Sequence, residues 1–192
     1  MNYAEIKKTD IANGVGVRVS LFVSGCTHRC PGCFNKETWN PTYGKPFTKE
    51  TFNEIIEALK PSYIDGLTLL GGDPLDYDNP KELLELARYT KVELHKSVWL
   101  YTGDYLENIM MFTHTKDKMN LLRFVDILVD GPFIEKLSNP SLKFKGSLNQ
   151  RIVDMDKVRE QFPLMNKLNF PGYRGISNVI SERINTKCLW EG

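Results

Sequence analysis

"VRVSLFVSGCTHRCPGCFN", residues 17–35, is the stretch whose reading decides the fold. Its first half is β-branched and apolar and closes at Gly25, the pattern of a strand running into a loop. Its second half spaces Cys26, Cys30 and Cys33 as C-x3-C-x2-C, three of the chain's four cysteines. A strand that delivers clustered thiols from its carboxyl end makes that end of the sheet the place to look for chemistry.

Working outward, the same strand–loop–helix order repeats. In "FTKETFNEIIEALKPS" (47–62), Phe52, Ile55, Ile56 and Leu59 form one apolar helical face, with Thr48 as N-cap and Pro61 as stop. "DGLTLLGGDP" (65–74) is a strand that breaks at Gly71-Gly72. "DNPKELLELARYT" (78–90) follows as a helix, with Asn79 placed to cap it, Pro80 in its first turn and Glu82 where a capping box wants it. "SVWLYTG" (97–103) and "FVDILVDGPF" (124–133) are the next strands, separated by the helical "DYLENIMMF" (104–112).

Alternation of this kind predicts an α/β fold, a parallel sheet with crossover helices. A complete eightfold barrel needs about 250 residues, so 192 residues hold only a partial, incomplete β/α barrel. The unusual residues all follow strands, and in such sheets ligands bind at the carboxyl ends. The motif-bearing unit spans residues 1–154. Residues 155–192 are expected to be a C-terminal extension, with a short helix in "MDKVREQFPLMNK" (155–167) and another near the end.

Composition sets limits. Hydrophobic residues make up 41% and charged residues 26%, as in a globular chain, and the net charge of +1 gives no basic field for nucleic acid. No apolar run reaches the roughly 20 residues that span a bilayer, and "MNYAEIKKTD" (1–10) lacks a secretory pattern. The expected compartment is therefore the cytoplasm, where thiols stay reduced. Clustered cysteines there imply a metal or redox site, not disulfides.

Three thiolates are one ligand short of a closed zinc site or a fully ligated four-iron cluster. A fourth protein ligand can complete the set, with His28 and Cys188 as candidates, or the site is left open so that one metal takes a ligand. A zinc knuckle is the structural alternative, although His28 lies too close to Cys26 and Cys30 for paired-ligand spacing.

The C-x3-C-x2-C loop after the first strand resembles the signature of the radical S-adenosylmethionine superfamily. "NGVGVRVSLFVSGCTHRCPGCFN", "GGDPL", "WLYTG", "DILVDGPF" and "FKGSLNQR" occur in that order over residues 1 to about 154. Together they resemble the activating proteins of anaerobic (class III) ribonucleoside-triphosphate reductases. Leu70 stands where the superfamily often has a small polar residue, and Gly32 where much of it has an aromatic one.

That resemblance implies a [4Fe–4S] cluster on Cys26, Cys30 and Cys33, whose fourth iron is chelated by S-adenosylmethionine. It implies that Gly32 lets the backbone wrap the cluster and that Phe34 and Asn35 lie near the adenine. Gly71, Gly72, Asp73 and Pro74 would meet the methionine amino group, Thr102 the ribose or methionine part, and Asp130 the carboxylate; Tyr101 would pack, and His28 would face a partner. Reduction by a flavodoxin or ferredoxin, cleavage of S-adenosylmethionine and a glycyl radical on the partner reductase complete the implied course. The alternatives are activation of another glycyl-radical enzyme and a non-enzymatic zinc-binding interaction module.

Overall fold

The computed structural model describes residues 1–111 and 116–166. The elements run β1 (Asn2–Asp10), β2 (Arg18–Val23), β3 (Lys45–Pro46), α1 (Lys49–Leu59), β4 (Gly66–Gly71), α2 (Asn79–Arg88) and β5 (Ser97–Tyr101). They continue with α3 (Leu106–Met111), α4 (Lys116–Leu122), β6 (Ile127–Asp130), β7 (Arg151–Asp154) and α5 (Met155–Gln161). One seven-stranded sheet has the order β3-β1-β2-β4-β5-β6-β7.

The fold is α/β, but the sheet is mixed and not purely parallel. Its centre, β2-β4-β5-β6, is parallel. Both edges are antiparallel, β3 and β1 on one side and β7 on the other. The connections explain this, one by its shortness and the other by its lack of a helix. Parallel neighbours need a crossover of a dozen or more residues, usually helical. The loop 11–17 between β1 and β2 is too short for one, and the chain between β6 and β7 carries only a 3-10 turn, Glu135–Leu137.

The two faces of the sheet differ. Val19, Leu21, Val23, Leu67, Leu69, Val98, Leu100 and Leu128 share one core with α1, α2, α4 and α5. The residues between them point the other way. Arg18, Ser20 and Thr68 on that second face are buried and polar. Arg18 is 1% exposed, and burial pulls its guanidinium down to about 10. It donates to Thr68 Oγ1, Leu67 O, Val15 O and both oxygens of Ser97, while its guanidinium sits 5.5 Å from the Trp99 ring. A buried cation is tolerated there because its donors are met by fixed dipoles.

Helix α1 forms as its sequence predicts. Thr48 Oγ1 accepts the Thr51 N–H at 3.3 Å, and Ile55, Ile56 and Leu59 are buried. Helix α2 departs from expectation at its start. Asp78 is the N-cap, and its carbonyl rather than a side chain receives the first N–H groups. Asn79 is buried and donates instead to Ser24 O at 3.1 Å and Asp73 O at 2.9 Å, tying the loop after β4 to the end of β2. A local capping pattern cannot reveal a longer-range partner of this kind.

Helix α5 is capped by Asp154, whose Oδ1 accepts the N–H groups of Asp156 and Lys157. Met155, Val158, Phe162 and Met165 pack into the common core. Cys188 and the terminal helix expected near it lie outside the described residues. Among the described residues no helix is long and apolar enough to cross a membrane.

Candidate active site at the cysteine loop

β2 ends at Val23, and the chain turns at Gly25, whose φ is +97°. A Cβ there would fall 2.8 Å from the Tyr77 ring. A 3-10 turn, Lys36–Trp39, folds back against the loop: Gly25 N–H donates to Thr38 O at 2.7 Å and Cys26 N–H to Trp39 O at 3.3 Å. Between Cys30 and Cys33 the chain makes a tight turn closed by Cys33 N–H to Cys30 O at 3.1 Å. Pro31 occupies its second position and Gly32, with φ +74°, its third, the arrangement of a type II turn.

The Cys33 sulfur accepts Asn35 N–H at 3.4 Å. Burial pushes the Cys26 thiol up to about 12 and also raises Cys30. Metal coordination releases such protons. Tetrahedral zinc with Zn–S bonds near 2.3 Å would hold sulfurs about 3.8 Å apart. Among the described residues, the side chains whose ligand atoms come within 4.8 Å of one another are His28, Asp73 and Asp76, and the three cysteines form no such group. The three thiols are thus not drawn together as a single zinc ion would hold them, and the Asn35 N–H···Sγ bond at Cys33 is of the kind that tunes the potential of an iron–sulfur cluster.

The loop after β4 is pinned directly behind. Gly72 N–H donates to Val23 O at 2.7 Å, and Asp73 N–H to Gly25 O at 2.8 Å. Gly71 has φ +105°, and a Cβ on it would lie 2.8 Å from the Phe22 backbone. Only glycine fits so close an approach. Asp73, 1% exposed, is the hub of the site. Its Oδ2 accepts from Thr102 Oγ1 and from Gly103 N–H, each at 2.9 Å, and its Oδ1 accepts from Leu75 N–H at 2.8 Å. His28 Nε2 lies 2.9 Å from the same Oδ2 at ion-pair distance, but its N–H is not aligned for a hydrogen bond. Asp73 nevertheless holds the imidazole above its ordinary range. Asp76 Oδ2 accepts the N–H and hydroxyl of Thr27, each at 2.7 Å; burial, then the charge of Asp73, raises its carboxyl. One carboxylate pair therefore ties the loops after β2, β4 and β5 together.

A single cleft collects most of the expected residues. Cys26, Cys30, Cys33, Phe34 and Asn35 line it from the cysteine loop, and Gly71, Gly72, Asp73 and Thr102 from the next two strands. Phe34 is 77% exposed and stacks on Phe133 at 5.4 Å. Gly32, Pro74 and Asp130 do not line the cleft. Gly32 faces Glu135, and Pro74 is buried. Asp130 is wholly buried behind it: Oδ1 accepts Arg151 Nε at 2.8 Å, and Oδ2 accepts Arg151 Nη2 at 2.5 Å and Leu106 N–H at 2.9 Å. Glu107 takes the other face of that guanidinium. The Thr102 hydroxyl is likewise spent on Asp73.

Sequence reasoning missed several residues. His28, expected at the surface or facing a partner, has a side chain 20% exposed that forms part of the cleft wall. Trp39 lines the cleft without belonging to a motif, and Tyr101 of "WLYTG", expected to pack, lines it too. The "FKGSLNQR" block is mostly a stapled loop that supplies Gly146 and Gln150 to the wall; only its last residue, Arg151, enters β7. Gln150 Oε1 accepts from Gly146 and Ser147, Gln150 Nε2 donates to Gly131 O, and Asn149 Nδ2 to Pro132 O.

A protein-family model described as a 4Fe-4S single cluster domain matches residues 12–153. A protein of Enterobacteria phage T4 named anaerobic ribonucleoside-triphosphate reductase-activating protein is 42% identical over 153 residues, 79% of this chain and 93% of that protein. The proteins of the same name from Escherichia coli (strain K12) and Vibrio cholerae are each 41% identical, over 78% and 79% of this chain and 96% and 97% of their own lengths. With that identity along nearly the whole of its relatives, and a 4Fe-4S domain model matching residues 12–153, the chain belongs to the family of anaerobic ribonucleoside-triphosphate reductase-activating proteins.

Proposed function

We propose that this protein is a radical S-adenosylmethionine activase that generates a glycyl radical on the anaerobic ribonucleoside-triphosphate reductase. The observation that carries the reading is the cysteine loop itself: Cys26, Cys30 and Cys33 open together onto a cleft that Gly71 and Gly72 also line, and Asn35 N–H donates to Cys33 Sγ. Cys26, Cys30 and Cys33 hold a [4Fe–4S] cluster, and S-adenosylmethionine is the ligand that three cysteines leave room for. When bound, this pair supplies one-electron reductive cleavage of the sulfonium and the hydrogen abstraction that leaves the glycyl radical on the reductase.

The chain's own residues bind and orient. The Pro31-Gly32 turn presents two thiolates at fixed separation. The close approach of Gly71 and Gly72 to the end of β2 brings the β4 loop backbone beside the cysteines. Asp73 locks that loop to Thr102, Gly103 and the cysteine loop, and so keeps the ligand platform in register. Phe34 and Asn35 form the wall beside the third thiol, the adenine side of the cleft. The catalytic unit is residues 1–154, a partial β/α barrel whose open side admits the glycine-bearing segment of the partner. A flavodoxin or ferredoxin is the electron donor, and the site of action is the cytoplasm.

The test is direct. The anaerobically reconstituted protein, incubated with the reductase large subunit, a reductant and S-adenosylmethionine, should give the doublet EPR signal of a glycyl radical together with methionine and 5′-deoxyadenosine. Absence of both products from cluster-loaded protein would contradict the proposal.

A further inference from the structure

Buried polar side-chain atoms in folded proteins nearly always have a hydrogen-bond partner, and each exception asks for an explanation. Among the described residues five such atoms lack one: Ser20 Oγ, Ser24 Oγ, His28 Nε2, Trp39 Nε1 and Tyr101 Oη. Three of them belong to residues that line the cleft. His28 has Asp73 at ion-pair distance. The indole N–H of Trp39 and the hydroxyl of Tyr101 remain unmatched.

Both groups are held in place. Trp39 closes the 3-10 turn that embraces the cysteine loop, and its carbonyl accepts Cys26 N–H. Tyr101 ends β5 in register with Val129 of β6. An indole N–H can only donate, so its complement must offer an acceptor. S-adenosylmethionine is rich in acceptors, with a carboxylate, two ribose hydroxyls and the adenine ring nitrogens.

We propose that Trp39 and Tyr101 are ligand-binding residues of this cleft, the indole N–H donating to an acceptor of S-adenosylmethionine and the phenol hydroxyl hydrogen-bonding the same molecule. The inference rests on reading the cleft as the S-adenosylmethionine site. It goes beyond the cysteine and glycine motifs, and it assigns to Tyr101 a contact that the adjacent Thr102, occupied by Asp73, does not make.

An unmatched buried hydroxyl is a cost in the free protein and a gain in the complex. That gives a signature a merely structural residue would not show. Tyr101→Phe removes only the hydroxyl. Its cluster-free form should melt at the same temperature as the parent or higher, while the cluster-loaded form binds S-adenosylmethionine about fivefold more weakly, the worth of one neutral hydrogen bond. Trp39→Phe should weaken binding by about the same factor, and the double variant by about 25-fold. Anaerobic equilibrium dialysis with labelled S-adenosylmethionine reads the affinities, and thermal unfolding reads the stability.

If the parent binds S-adenosylmethionine and both variants bind it equally well, this inference is wrong and the function stands. If the variants keep that affinity but need more reductase for half-maximal activation, the two groups serve the protein partner and the inference is overturned. A lower melting temperature with unchanged affinity would make Tyr101 structural. Failure of the parent itself to bind would remove both the proposed function and this inference.

Discussion

Asp73 and Asp130 show how two buried carboxylates at strand ends come to different uses. Asp73 faces the cleft, but its oxygens are committed to Thr102, Gly103 and Leu75, so it positions loops and leaves backbone for the ligand. Asp130 is paired with Arg151 behind the cleft. Asp130→Ala should therefore cost stability, about 2 kcal/mol, because Arg151 keeps Glu107 while Leu106 N–H loses its buried acceptor, and change S-adenosylmethionine affinity by less than about twofold. Denaturant titration and ligand binding on the same variant separate the two effects. Cys30→Ala has the opposite profile. With three ligands there is no spare, so the reconstituted variant should lose its four-iron content, and an intact cluster spectrum would contradict the assignment. The cysteine turn was legible in the sequence because proline and glycine at fixed offsets dictate local geometry. Trp39 was not, and Tyr101 of "WLYTG" was expected only to pack, because an aromatic residue reads equally as core packing until its polar atom is seen to be buried without a partner.

The parallel centre, β2, β4, β5 and β6, was legible at the scale of elements because each strand is a short apolar run followed by a turn signal. Helix α1 was legible because its apolar face and Thr48 cap agree. Thr48→Ala should cost about 1 kcal/mol, the worth of one N-cap, by denaturant titration. What escaped the sequence were contacts between elements. β1 exposes much of "NYAEIKKTD" and lacks the strict alternation of a half-buried strand, and β7 is only four residues long. Asn79 carries the look of a helix cap but is recruited to bridge the ends of β2 and β4. Asn79→Ala should leave helix content unchanged by circular dichroism while lowering stability by about 1–2 kcal/mol, since two buried carbonyls lose their donor.

The whole molecule is organised by the contrast between its two sheet faces. The apolar face carries the core and the helices, and the polar face carries Arg18 at one end and the cysteine cleft at the other. Arg18 ties β2 to β4, β5 and the loop 11–17 through neutral oxygens. Arg18→Ala should destabilise the protein by about 3 kcal/mol by stranding those acceptors. Nothing in the local pattern of "VRVSLFV" announces that an arginine is buried, because a strand's alternation marks which face a residue takes and not what covers it. The proposed activity requires that the cleft at the carboxyl ends of these strands hold a [4Fe–4S] cluster with one iron open to S-adenosylmethionine. The most direct measurement is the EPR spectrum of the anaerobically reconstituted, reduced protein with and without S-adenosylmethionine. A reduced four-iron signal that changes shape on its addition is the predicted result; a signal indifferent to S-adenosylmethionine, or a colourless protein that retains zinc, would contradict it.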